Sequence, residues 1–99
     1  MTGKKSFFNS AELEILEAAS TSYPSSTEFS GFQIAKEIGE RKGTRWLMGY
    51  GTLYQALNRL EKLGYLGSRW EDQAKSDPEL RPRRKLYRLT RDNWIEVNL

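Results

Sequence analysis

The segment "GTLYQALNRLEKLGYL" (51–66) carries hydrogen-bonding and cationic side chains at helical spacing. Leu53, Ala56, Leu57, Leu60 and Leu63 follow the i, i+3, i+4 pattern of one buried face. Thr52, Gln55, Arg59 and Lys62 are left on the other face. Threonine and glutamine can bond base edges, glutamine pairing twice with adenine, while arginine and lysine suit phosphates. A second group lies in "RPRRKLYRLTR" (81–91), which holds six basic residues and no acid. Such a block suits a polyanion, and equally a solvated strand face. Histidine and cysteine are both absent. That removes the usual general base, the commonest metal ligand and every Ser/His or Cys/His nucleophile pair. The carboxylates Glu37, Glu40, Asp72 and Glu79 share no spacing suited to a paired acid and base. No enzyme, catalytic residue, metal or cofactor is expected.

The elements that must position these groups are legible in outline. Asn9 with Glu12 has capping-box spacing and opens a first helix over 9–20, with Leu13, Ile15, Leu16 and Ala19 as its apolar side. Residues 21–30 read as a loop broken by Pro24, in which "TEF" has the makings of a very short strand. Ser30 with Gln33 repeats the capping-box spacing and opens a second helix over 31–43, with Phe32, Ile34, Ala35 and Ile38 as apolar contacts. A third helix runs from Tyr50 or Gly51 to Lys62 or Leu63, and Gly64 suits its C-terminal cap. The period then changes to two. Residues 65–71 and 83–90 alternate as strands around a polar loop with two prolines, giving a hairpin with a long tip. "RDNWIEVNL" (91–99) starts a further helix.

Ninety-nine residues with a net charge of +3 suggest one small domain, 1–99, with 1–8 as a flexible tail and 91–99 as a truncated helix. The charge is placed unevenly: residues 1–48 balance six Lys/Arg against six acids, and residues 49–99 hold ten against seven. No apolar run approaches a membrane span and no signal-peptide core is visible, so a soluble cytoplasmic protein is expected. The Gly-x-Gly in "GYGTLY" is not a dinucleotide fingerprint. No strand precedes it and Tyr54 replaces the third glycine.

Three helices followed by a hairpin form the winged helix-turn-helix plan, a mainly α fold with a small antiparallel β-hairpin. In it the third helix enters the major groove of DNA and the hairpin, or wing, reaches flanking backbone. The segments "GFQIAKEIGERKG", "GTLYQALNRLEKLGYL" and "RPRRKLYRLT" closely resemble the PadR family of bacterial transcriptional regulators over about residues 12–91. The resemblance implies a winged-helix repressor that binds an inverted repeat in double-stranded DNA, usually as a homodimer. Carried onto this sequence, it supports Thr52, Tyr54, Gln55, Arg83 and Arg84 as DNA contacts. The full expected set adds Gly51, Arg59, Lys62, Arg81 and Lys85. Tyr54 has two open readings: a packed ring with its hydroxyl on a phosphate, or a core residue only.

The sequence departs from the family pattern where Gly49 replaces a frequent serine, where Gln55 replaces a frequent proline, and in a longer 21–30 loop. The family's long C-terminal dimer helix is represented only by 91–99. A homodimer would then use the first helix and the C-terminal tail. Trp94 is the candidate effector or dimer contact, although core cover is the favoured role for it; Trp46 and Trp70 are read as structural. The competing class is a protein-interaction module that uses the same helix or wing on another protein.

Overall fold

A computed structural model describes residues 7–24, 27–42, 49–72 and 82–90. Trp46, Arg81 and Trp94 lie outside these residues. The element order is α1 (Ser10–Ser22), β1 (Phe29–Ser30), α2 (Gly31–Lys42), α3 (Tyr50–Lys62), β2 (Leu66–Trp70) and β3 (Lys85–Leu89).

Local chemistry sets most of these boundaries. Asn9 caps α1: its side chain accepts from the Glu12 amide at 2.8 Å, and Glu12 Oε1 accepts from the Asn9 amide at 3.0 Å. Ser30 and Gln33 make the same reciprocal pair at the start of α2, at 2.8 and 3.1 Å. At the end of α3 the Gly64 amide donates to the Glu61 carbonyl (3.0 Å) and the Tyr65 amide to the Leu60 carbonyl (2.9 Å). This closure needs a left-handed residue, and Gly64 supplies it with φ 88°.

Strands β1, β3 and β2 form one antiparallel sheet in that spatial order. Tyr87 on the central strand faces Phe29 on one side and Ser68 on the other. The Phe29 and Tyr87 rings stack at 6.2 Å, and Tyr23 lies tilted on Phe29 at 5.2 Å. Ile15, Leu16, Ile34, Ile38, Leu53, Leu57 and Leu60 fill the space between the helices and the sheet, with Tyr87 and Leu89 from β3. Burial, with smaller contributions from Glu61 and Tyr54, pushes the Tyr87 phenol up to about 12.

Several expected contacts fall elsewhere. Phe8, read as part of a tail, is buried in the core. Phe32, in the first turn of α2, is 63% exposed, whereas Ile34, Ala35 and Ile38 are buried. Leu13 is only partly buried; Ala11 and Ala18 take α1's inner face beside Ile15 and Leu16. The short strand is Phe29–Ser30, which starts at the last residue of "TEF".

The wing is tied to α3 by Glu61. Ser68 Oγ donates to Glu61 Oε2 at 2.5 Å, and Lys85 Nζ lies 3.3 Å from Oε1. The serine bond first, then the lysine, holds the Glu61 carboxyl below its ordinary 4.5. A depressed carboxylate contributes stability that is present above the unfolded value and lost as pH falls through the folded one. Ser68→Ala is therefore expected to lower thermal stability slightly at neutral pH. It should also flatten the loss of stability below the ordinary value of 4.5. An acid limb identical to that of the parent protein, followed by circular dichroism, contradicts this tie.

Candidate nucleic-acid interface

The outer face of α3 is polar and exposed. Gly51, Thr52, Tyr54, Gln55, Asn58, Arg59 and Lys62 all reach solvent there, while Leu53, Ala56, Leu57 and Leu60 are buried behind them. Gly49 gives α3 no side-chain cap. A shallow hollow of about 450 Å³ runs along the helix between Gln55, Asn58, Arg59 and Lys62.

A larger groove of about 630 Å³ lies between the start of α2, the middle of α3 and the wing. Phe32, Tyr54 and Trp70 give it aromatic walls, and Arg83, Arg84 and Lys85 supply its positive charge. Asn58 lines both hollows and joins them into one concave face. Together the two hollows are lined by five cations, Arg59, Lys62, Arg83, Arg84 and Lys85, and by no carboxylate among the described residues. A surface of this kind favours anions, although Glu12 and Glu61 behind it offset part of the charge.

The cations are not equally available. Arg83 and Arg84 are exposed just before β3. Arg83 Nε donates to the Glu71 carbonyl at 2.7 Å, which aims the guanidinium without neutralising it. Arg84 is held through its backbone: its amide donates to Glu71 Oε1 at 3.3 Å and its carbonyl accepts from the Glu71 amide at 2.7 Å. Lys85 is half-buried, paired with Glu61 and placed 5.6 Å from the Tyr87 ring centre. Its charge is partly spent inside the fold. Arg59 is likewise engaged. Its Nη1 donates to Glu12 Oε1 at 2.5 Å, and its guanidinium lies 5.6 Å from the Phe7 ring centre. The sequence pattern places Arg59 outward but gives no sign of a buried carboxylate reaching it from α1.

Tyr54 is 42% exposed, so it is not a core residue only. Its ring covers the start of α2, where a Cβ at Gly31 would stand 2.5 Å from the hydroxyl. Glycine at 31 is thus what lets the two helices approach with Tyr54 between them. Trp70, read as structural, is 57% exposed at the end of β2 opposite Lys85, and serves as groove wall rather than core. Asn58 and Phe32 are the site residues that the pattern passed over. Asn58 carried a usable signal: it stands three residues after Gln55 and four after Tyr54, on the same helix face.

Comparison with known proteins supplies the context. The profile of the Transcriptional regulator PadR-like family matches residues 25–92. A transcriptional regulator from Clostridium thermocellum is similar in structure, with a TM-score of 0.63 and 27% identity over 87% of this chain and 73% of that one. Bacillus subtilis PadR, solved in complex with operator DNA, aligns with a TM-score of 0.56 and 22% identity over 86% of this chain and 44% of that one. The second likeness speaks to the fold alone, and the chain spans less than half of that regulator. No curated protein sequence matches the chain. With three helices, an antiparallel wing and a family profile over most of its length, the chain belongs to the PadR-like family of transcriptional regulators, a winged-helix group and not a family of enzymes.

Proposed function

We propose that the protein is a sequence-specific double-stranded DNA-binding regulator that represses by occupying its site. The observation that carries this reading is the cation-lined face shared by α3 and the wing, which has no carboxylate among its described lining residues. It sets the exposed polar side of α3 beside the cationic start of β3, the pairing a winged helix uses for a major groove and the neighbouring backbone.

The roles follow from position. Thr52 and Gln55, near the start of α3, read base edges, and Asn58 extends the same row. Gly51 lets the helix start approach the duplex closely. Lys62, Arg83 and Arg84 hold phosphates, Arg81 is assigned with them from the basic block of the sequence, and the Tyr54 hydroxyl meets a phosphate beside Gly31. Lys85 contributes a weaker contact because Glu61 shares its charge. Bacillus subtilis PadR in complex with operator DNA lends support by fold likeness. No helix among the described residues is long and apolar enough to cross a membrane, in keeping with action at the cytoplasmic chromosome. A homodimer through α1 and the segment after Thr90 belongs to the same proposal and requires half-sites about one helical turn apart.

The test is a binding titration against a pool of random duplexes followed by measurement on the selected site. Gln55→Ala is expected to keep overall affinity for unrelated duplexes and to lose about 1–3 kcal/mol of discrimination at one or two base pairs. Equal affinity for every sequence before and after the change would sink the base-reading role. Capture of one stoichiometric protein partner with no DNA affinity at low salt would favour the interaction-module reading instead.

A further inference from the structure

Residues 7–12 reach both Arg59 of α3 and Tyr65, just beyond the helix. Phe8 is buried and meets the Tyr65 ring edge-on at 5.1 Å. Tyr65 is the residue whose amide closes the C-terminal turn of α3 on the Leu60 carbonyl. Phe7 packs edge-on against Phe8 at 4.8 Å and lies under the guanidinium of Arg59. Glu12 Oε1 accepts from Arg59 Nη1 at 2.5 Å, and the same oxygen accepts from the Asn9 amide.

Glu12 is 1% exposed, whereas the Arg59 side chain is 45% exposed. The two partners therefore do not stand to lose equally. A carboxylate held in the interior without a counter-charge is strongly unfavourable, and Arg59 is the cation bonded to it. A phosphate approaching the open side of Arg59 meets an ion pair rather than a full positive charge. Drawing Arg59 away from Glu12 would also leave that buried carboxylate uncompensated.

We propose that residues 7–12 form a clasp on the recognition helix, with Arg59 as its positioning residue rather than as a phosphate grip. The clasp fixes the C-terminal half of α3 to α1 through Glu12 and to the N-terminal segment through Phe7. Its consequence for DNA rests on the proposed function, because a recognition helix must be held at one angle to place Gln55 and Asn58 together. Its consequence for stability does not.

Two readouts test it on the full chain: thermal unfolding, and the salt dependence of binding to a selected duplex. Arg59→Gln and Glu12→Gln are each expected to lower the melting temperature by several degrees. Combined, they should lower it by clearly less than the sum, because they break the same bond. Arg59→Gln should leave the salt slope unchanged. A slope reduced by about one with an unchanged melting temperature would mark Arg59 as a phosphate contact and overturn the clasp. Additive melting losses overturn it as well. Tighter DNA binding by Glu12→Gln would also overturn it, since releasing Arg59 would then have freed a grip.

Should Glu12→Gln not fold, Phe7→Ala serves, since that ring is largely at the surface. It is expected to speed amide exchange at the end of α3 near Arg59 more than at its start near Leu53. Uniform exchange along α3 contradicts the clasp. If no duplex is bound at all, the proposed function fails, and the melting and exchange measurements still decide whether the clasp exists.

Discussion

Replacing Arg83 and Arg84 together by alanine is expected to weaken binding to every duplex alike, roughly thirtyfold near physiological salt. Both side chains are exposed on the lining of the groove, and among the described residues neither guanidinium is paired with a carboxylate, so the change removes two exposed cations. After screening, each phosphate contact is worth about 1 kcal/mol, and two such contacts amount to about thirtyfold. The slope of log affinity against log salt should fall by about two, one for each lost contact. The fold should persist, because Arg84 is anchored by its backbone to Glu71 and Arg83 loses only one exposed bond to a carbonyl. A mobility-shift titration at several salt concentrations measures both effects. Loss confined to one sequence, or a slope that does not move, would place the two arginines off the DNA.

Leu57→Ala is expected to produce the largest loss of stability. Leu57 is fully buried at the centre of α3, where it packs into the core shared with α1, α2 and the sheet. Truncating a buried leucine costs about 2–5 kcal/mol, transfer and cavity terms together. A domain of this size has roughly 5–15 kcal/mol in total, so one substitution removes a large part of it. At about 4–8 °C per kcal/mol the melting temperature should fall by roughly 8–40 °C. Gln55→Ala, only two positions away on the exposed face, should shift it by no more than about 0.5 kcal/mol. Thermal unfolding of the two variants side by side separates the anchoring face from the reading face. Comparable losses would mean that α3 is not oriented as described.

The contrast within α3 explains why its orientation could be read in advance. Leucines at 53, 57 and 60 leave one rotation for an amphipathic helix, and the structure has that rotation. The two capping boxes and Gly64 were legible for a similar reason. Each depends on residues three or four apart along the chain, and local spacing is what a sequence displays. The family resemblance, carried by the same segments, is matched by the family profile over residues 25–92.

What the sequence did not display depends on distant partners. Nothing near Arg59 in the chain announces Glu12, which stands on another helix 47 positions earlier. Phe7 and Phe8 precede the first periodic segment, so no pattern assigns them to the core, yet Phe8 fills a gap beside Tyr65. Phe32 and Trp70 are apolar by type but stand where α2 and β2 run past the edge of the core, and there they become groove wall. The concave face was legible only in pieces. The basic block and the helix stripe could be seen separately, while the groove between them required β3 to pair with β2 and bring Arg83 and Arg84 beside Tyr54.

The most direct measurement is the affinity of the full chain for a selected duplex, followed from low to physiological salt. Saturable binding is predicted, tighter for the selected sequence than for unrelated ones, with log affinity falling linearly as log salt rises. An absence of affinity for any duplex at low salt would contradict the reading of the α3 and wing face as a DNA-binding surface.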